Sequence, residues 1–291
     1  MLLRVEDLET PRVKLWAVDQ IYDDLAWLTL DWDASPREPL AAGPPLLQSA
    51  RSERYREVLQ HLIDAEAVYP CTCTRSEVAT AAAAAPHESR PDAAVYPGTC
   101  AGRSAAEYHE LRRSGVACCL RFRIGEGRDE YDDGFCGPQA IDLRRELGDF
   151  VVWRVDDAAA YQLAVVVDDR DAGVNQVVRG ADLRLSTFRQ RAIYATLGWQ
   201  PPRYVHLPLV VGPDGRRLAK RHGDTRLATL RDSGVQAEQF IGYMAARSGL
   251  IDRPRALSAT DLLGVDALGQ LTDQPLVFDA AAELPSIRSV R

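Results

Sequence analysis

Residues 161–194 read YQLAVVVDDRDAGVNQVVRGADLRLSTFRQRAIY. The apolar run at 163–167 has the length and β-branched content of a buried strand. Asp168 and Asp169 follow at once, then a turn at Gly173 and a second short strand over 175–178. Arg179 and Gly180 end that strand, and a helical pattern begins near Ser186 and Thr187. In open α/β sheets, ligands sit beyond the carboxyl ends of strands, so Tyr161, the Asp pair and Arg179 are expected to converge there. The alternative is a buried strand with solvated charges at its end.

Working outward, residues 149–154 (DFVVWR) read as a strand leading to a turn before Tyr161, and 125–147 as acidic and irregular. An alternating strand is expected over 117–124, with Cys118 and Cys119 in it; these two and Cys136 are read as packing residues. Tyr55, Val58, Leu59, Leu62 and Ile63 recur at helical spacing. Thr74 and Glu77 form a T-x-x-E capping box that opens a helix running into the alanine tract at 81–85. Cys71, Cys73 and Cys100 are candidate thiolate ligands that need a fourth partner for tetrahedral zinc; unliganded thiols are the alternative. Leu2 to Glu6 reads as a strand, and the period of Leu15, Val18, Ile21, Tyr22, Leu25 and Leu28 as a helix. Residues 30–48, rich in Pro, Gly and Asp, read as a loop. Downstream come a strand over 206–211, a turn at 212–215, a basic loop at 217–223, and a helix over 227–250 with a Pro-containing irregular tail.

The chain has 291 residues, 46% hydrophobic and 26% charged, which suits a globular protein with ample core. No apolar run approaches the roughly 20 residues that span a bilayer, and no signal peptide is visible, so a cytoplasmic location without membrane contact is expected. A net charge of −7 means that a nucleic-acid partner would need a local basic patch. Six unevenly spaced cysteines point to a metal site or buried thiols rather than disulfides.

The wording of 161–194, with DFVVWR before it, closely resembles the second half of the class I glutamyl-tRNA synthetase catalytic domain. It is most similar to the short paralogues, the glutamyl-queuosine tRNA(Asp) synthetases. Arg4, Val5, Glu6, Asp7, Leu8, Glu9 and Arg12 match the family's R-I/V-E-D-L/T-D/E-x-x-R motif. The resemblance implies an α/β, Rossmann-type class I catalytic domain with an inserted acceptor-binding subdomain. It divides the chain into 1–68 and 148–224 as catalytic halves, 69–147 as the insertion, and 225–291 as a helical segment and tail. It places glutamate's α-amino group on Glu6, and the substrate's remainder on Tyr161 and Arg179, the Arg facing the side-chain carboxylate. An Arg fork suits a planar carboxylate. Arg217, Leu218, Ala219, Lys220, Arg221, His222 and Gly223 align with the KMSKS-type loop. Lys220 would stabilise departing pyrophosphate and is the expected catalytic residue, with Arg217 beside it at the ATP; His222 is read as structural. Tyr96 with Cys71, Cys73 and Cys100 fits the family's zinc set, a C-x-C followed by Y-x-x-x-C.

The family begins with a strand, a loop and a helix carrying a HIGH-type signature, upstream of where Met1 falls. Either the start lies further upstream or catalysis has been lost. The implied activity is ATP- and Mg²⁺-dependent activation of glutamate and its transfer to the queuosine base of tRNA(Asp), by a monomer. The alternatives are an inactive remnant that binds glutamate or tRNA, and a truncated glutamyl-tRNA synthetase that charges tRNA(Glu).

Overall fold

A computed structural model describes residues 1–8, 15–83, 95–218 and 226–291. The N-terminal segment is extended, but it joins its neighbours through bridges rather than a full strand: Leu2 pairs with Ala34 and Val5 with Leu47, both parallel. The backbone bonds Leu3 N to Ala34 O (2.9 Å) and Val5 N to Leu46 O (2.8 Å) hold it there. Helix α1 (Leu15–Trp27) follows, then the expected loop and α2 (Ser52–Asp64). Tyr55, Val58, Leu59 and Leu62 lie on one face of α2 and are all buried, so its periodicity reads directly into packing.

Strand β1 (Val68–Cys71) precedes α3 (Arg75–Ala83). The capping box is as expected: Glu77 N donates to Thr74 Oγ1 (3.2 Å), and Thr74 N to Glu77 Oε2 (2.7 Å). After α4 (Glu107–Arg113), β2 (Cys119–Phe122) pairs antiparallel with β1, setting Cys71 opposite Cys119. Residues 125–147 are not irregular: β3 (Arg128–Asp133) and β4 (Gly137–Asp142) form a hairpin, and a π-helical turn covers Leu143–Leu147. Its strands, polar and only partly buried, lack the apolar alternation that marks a half-buried sheet. The Gly134 amide donates to Tyr204 O at 2.8 Å, and a Cβ at Gly134 would meet Val205 Cγ2 at 2.8 Å, so the hairpin tip seats closely on the chain behind it.

Strand β5 (Phe150–Trp153) completes the β1–β2–β5 sheet. The run after Tyr161 is a helix, α5 (Tyr161–Asp171), not the expected strand. Every residue from Leu163 to Asp169 is buried, so it has no polar face to give it a helical period. The extended Ala160 starts it, with Ala160 O accepting from Leu163 N and Ala164 N (both 3.1 Å), and Gly173 at φ +68° ends it. The Asp pair therefore lies at the end of a helix rather than of a strand.

The short strand and the helix expected after Gly173 are both present. Strand β6 (Gln176–Gly180), α6 (Arg184–Thr196) and β7 (Arg203–Leu207) make a parallel crossover unit, with Arg179 in register with His206. The strand expected over 206–211 is broken at Pro208, which has no N–H for a ladder, and resumes as β8 (Val210–Val211). The helix expected over 227–250 is two: α7 (Leu227–Asp232) and α8 (Ala237–Arg247), separated by Gly234 at φ +86°. The tail is also ordered, with α9 (Ala267–Gln270), β9 (Leu276–Val277) parallel to β8, and α10 (Ala280–Arg288). Leu230, Val235, Tyr243, Phe278 and Ile287 form its own apolar cluster. The main core joins α2, α5, α6 and the three-stranded sheet around Tyr55, Leu62, Leu120, Trp153, Leu163 and Ile193. Among the described residues, no helix is long and apolar enough to cross a membrane.

Candidate functional site

Arg179 sits at the end of β6, and three elements aim it. Its Nε–H donates to His206 Nε2 (3.0 Å) on β7. Its Nη2 donates to Thr187 Oγ1 (2.6 Å) on α6 and to Leu183 O (3.3 Å). Tyr204 lies beneath it, with its ring centroid 5.4 Å from the guanidinium carbon. Nη1 has no hydrogen-bond partner among the described residues, so the fork is anchored through Nε and Nη2 alone.

His206 is itself fixed from behind. Its Nδ1 lies 2.6 Å from Asp133 Oδ2, and its backbone N donates to Asp133 Oδ1 at 3.0 Å. Because Nε2 accepts from Arg179, the ring proton belongs on Nδ1, facing Asp133. Burial lowers the imidazole's pKa, opposed by the bond to Asp133, so the ring is kept neutral. Asp133 is held below the ordinary carboxylate range: its bonds to the Cys136 amide, His206 and the Phe135 amide overcome burial.

Tyr161 opens α5 and is 38% exposed. Burial pushes its phenol up, and Glu6, Arg179, Arg4 and Asp169 all lie within electrostatic reach of it. The three expected glutamate contacts thus share one neighbourhood. Glu6 is exposed and accepts from Arg4 Nη2 at 3.2 Å. Arg4 also donates through Nη1 to Asp169 Oδ1 at 2.6 Å, and its Nε lies 3.6 Å from Asp168. Burial works against Arg4's charge, but Asp169, Asp168 and Glu6 outweigh it and hold the guanidinium protonated. Asp168 accepts from Gln48 Nε2 and Tyr55 OH (both 2.8 Å) and pairs with Arg51 (2.8 Å). Burial nevertheless pushes both Asp168 and Asp169 up. This buried charge network ties the N-terminal segment and the start of α2 to the end of α5, so the residues carrying Glu6 and Tyr161 are held together.

The sequence reading missed Arg4, Gln48, Arg51, Asp133, Thr187 and His206 as parts of this machinery. Arg4 had a signal, since it shares a motif with Glu6. Asp133 and His206, 73 residues apart, had none.

Arg217 is exposed, pairs with Asp182 at 2.8 Å and bridges antiparallel to Val211. Lys220, His222 and Arg12 lie outside the described residues.

The cysteine expectation is matched in geometry. The Sγ atoms of Cys71, Cys73 and Cys100 lie within 4.8 Å of one another, with Cys73 and Cys100 3.7 Å apart. Tetrahedral zinc with Zn–S near 2.3 Å requires sulfur–sulfur edges of about 3.8 Å. Tyr96 Oη lies 3.3 Å from Cys71 Sγ and 3.5 Å from Cys73 Sγ, and accepts the Cys100 amide at 2.9 Å. The Cys71 thiol has its pKa lowered by its interaction with Cys119 first, then by Tyr96 and Arg121, against burial. The donor set therefore fits a metal. Cys118 packs in the main core, Cys119 packs against the cluster, and Cys136 donates to His206 O at 3.2 Å.

A family model for the class I (E and Q) tRNA synthetase catalytic domain matches residues 1–259. The chain is 47% identical to a glutamyl-Q tRNA(Asp) synthetase of Rhodopirellula baltica, over 90% of this chain and 79% of that one. It is 43% identical to one of Nitratidesulfovibrio vulgaris, over 96% and 86%. A glutamate–tRNA ligase 1 of Methylobacterium radiotolerans is 35% identical, over 97% of this chain and 56% of that one. The crystal structure of a glutamate tRNA ligase from Elizabethkingia meningosepticum with its amino acid superposes with a TM-score of 0.79 at 22% identity. It covers 98% of this chain, which spans 61% of that one. With the same mixed α/β fold and a match over residues 1–259, this chain belongs to the class I (E and Q) tRNA synthetase catalytic-domain family.

Proposed function

We propose that this chain activates glutamate with ATP and transfers it to the queuosine base at the wobble position of tRNA(Asp). The observation that carries the reading is the half-anchored fork of Arg179, in one neighbourhood with Tyr161 and Glu6. A free guanidinium edge, a phenol and an exposed carboxylate suit a ligand with a carboxylate at one end and an ammonium at the other. The names of the relatives supply the acceptor.

In the first step the α-carboxylate of glutamate attacks the α-phosphorus of ATP, the bond to the bridging oxygen breaks, and pyrophosphate leaves. Arg179 and Glu6 hold the two ends of glutamate so that its α-carboxylate faces the nucleotide. Lys220 and Arg217 meet the charge that grows on the pyrophosphate; a donor aimed at developing charge is worth roughly 10²–10³-fold. Mg²⁺, arriving with ATP, neutralises phosphate charge. In the second step a hydroxyl of the queuosine cyclopentene ring attacks the glutamyl carbonyl, and AMP leaves. Zinc on Cys71, Cys73, Cys100 and Tyr96 would tie together the inserted unit, residues 69–147, away from the chemistry. The other units are 1–68 and 148–224 as catalytic halves and 225–291 as the C-terminal segment. A monomer acting in the cytoplasm is the assembly proposed.

The test is glutamate-dependent ATP–pyrophosphate exchange without tRNA, followed by labelling of three RNAs with [14C]glutamate. These are queuosine-containing tRNA(Asp), the same tRNA without queuosine, and tRNA(Glu). Label on the first alone is expected. Label on tRNA(Glu) would favour the reading that the Methylobacterium relative suggests. Arg179→Ala should abolish exchange, and glutamate binding without exchange would leave only a binding protein.

A further inference from the structure

An open cleft of about 250 Å³ lies between α6, β5 and the cysteine cluster, with Arg121, Arg189, Gln162, Asp149, Tyr96 and Phe150 in its walls. Two of these walls are guanidiniums whose Nε–H groups are buried and meet no hydrogen-bond acceptor among the described residues. Arg121 is partly engaged: it stacks 3.8 Å from the Tyr96 ring centroid, and its Nη1 donates to Asp149 O at 3.3 Å. Arg189 has no hydrogen bond and no ion pair among the described residues, and its guanidinium carbon lies 6.0 Å from the Phe150 ring centroid. Burial lowers its pKa with no neighbouring anion to offset the effect.

Asp149 does not fill that role. Its carboxylate already accepts from Tyr69 OH and the Ile124 amide, and it pairs with Arg144 at 3.4 Å. With Asp149 matched by Arg144 and Arg121 facing the Cys71 thiol, the cleft carries the charge of Arg189, which no anion among the described residues offsets. A charge buried without a partner is costly to a fold, and such a group is explained when its partner arrives from outside. Guanidinium edges match the oxygens of a phosphate.

We infer that this cleft is a phosphate-binding site, and that the phosphate it takes is a backbone phosphodiester of the RNA substrate. Its position supports that source. Gln162 adjoins Tyr161 at the start of α5, and Tyr96 belongs to the cysteine cluster, so the cleft lies between the proposed glutamate site and the inserted unit. The phosphate chemistry stands on the cleft alone; the RNA source rests on the proposed function.

The experiment compares the full chain with R189Q and R189K. Inorganic phosphate, against chloride at equal ionic strength, should raise the Tm of the wild type and of R189K but not of R189Q. In filter binding of queuosine-containing tRNA(Asp) over a salt series, R189Q should lose about tenfold in affinity at low salt. The slope of log K against log salt should shrink by about 1. Phosphate protection with an unchanged tRNA slope would make free phosphate the ligand and overturn the RNA source. No response in either arm would overturn the site. In phosphate-free buffer R189Q should melt at or above the wild-type temperature, because it removes a half-buried charge that has no partner among the described residues. A lower Tm there would make Arg189 a structural cation and overturn the proposal. If the wild type binds no tRNA, the proposed function fails, while the phosphate arm still decides the cleft.

Discussion

The Nε2 atom of His206 accepts the Nε–H of Arg179 at 3.0 Å, so the guanidinium is aimed by a ring that must stay neutral to hold it. Asp133, 2.6 Å from Nδ1, fixes the tautomer that leaves Nε2 free to accept. The orientation of Arg179 therefore depends on how well the hairpin tip holds Asp133.

His206→Ala should raise the KM for glutamate about 10- to 100-fold, the worth of one hydrogen bond to a charged group, with a smaller effect on kcat. Asp133→Asn should act in the same direction through the imidazole. Pyrophosphate exchange over a glutamate series measures both. An unchanged KM in His206→Ala would show that Thr187 and Leu183 suffice to aim Arg179.

Acid should loosen the same arrangement. His206 has its pKa lowered from the ordinary 6.5, so between that value and its lower folded value the unfolded chain binds more protons. The stability contributed by the neutral ring is complete above about pH 6.5 and is lost as pH falls toward the folded value. Asp133, lowered from 3.8, adds a second loss as pH drops below that value. Urea midpoints across pH 4 to 8 should fall on the acid side in the wild type, and the upper part of that fall should be absent in His206→Gln.

Helix α2 was legible because one face is core and the other is water, and the capping box at Thr74 because its two partners are three residues apart. Helix α5 was misread as a strand for the opposite reason: buried on all sides, its Val-rich run has no period to report. The β3–β4 hairpin hid because its strands are polar and carry few apolar residues to alternate, and β9 because a two-residue strand leaves no pattern. Glu6, Tyr161 and Arg179 were named from wording shared with a family, which carries roles but not supports. The groups that aim them, Asp133, His206 and Thr187, are joined only by folding.

The cysteine cluster should hold one zinc ion per chain, released by chelator with a fall in Tm of several degrees, since metal binding and local folding are linked. Cys73→Ser should lower metal content at equal protein concentration. Elemental analysis of protein purified without chelator decides the matter: absence of zinc would leave Cys71, Cys73 and Cys100 as packed thiols.

Asp168→Asn should destabilise the chain by about 3 kcal/mol, read as a shift in urea midpoint at constant slope. The cost comes from the cations left behind rather than from the carboxylate, whose own burial is unfavourable. Arg51, with a side chain 4% exposed, would keep Asp171, but Arg4 and Arg51 together would face one negative charge fewer. A stability change below about 0.5 kcal/mol would mean that the network is neutral in sum.

Gly134→Ala offers the sharpest test of how the hairpin tip acts on Arg179. An added Cβ would lie 2.8 Å from Val205 Cγ2, and that methyl belongs to a β-branched side chain on β7 with little rotamer freedom. The tip must lift, stretching the bond from Gly134 N to Tyr204 O and drawing Asp133 away from His206. A methyl forced into packed structure costs about 1–3 kcal/mol. The expected result is a higher glutamate KM with the ATP KM unchanged. Combined with Asp133→Asn, it should show less than the sum of the two effects, because both act through one contact. Full additivity would mean that Gly134 supports the fold by another route and that the tip does not position Arg179.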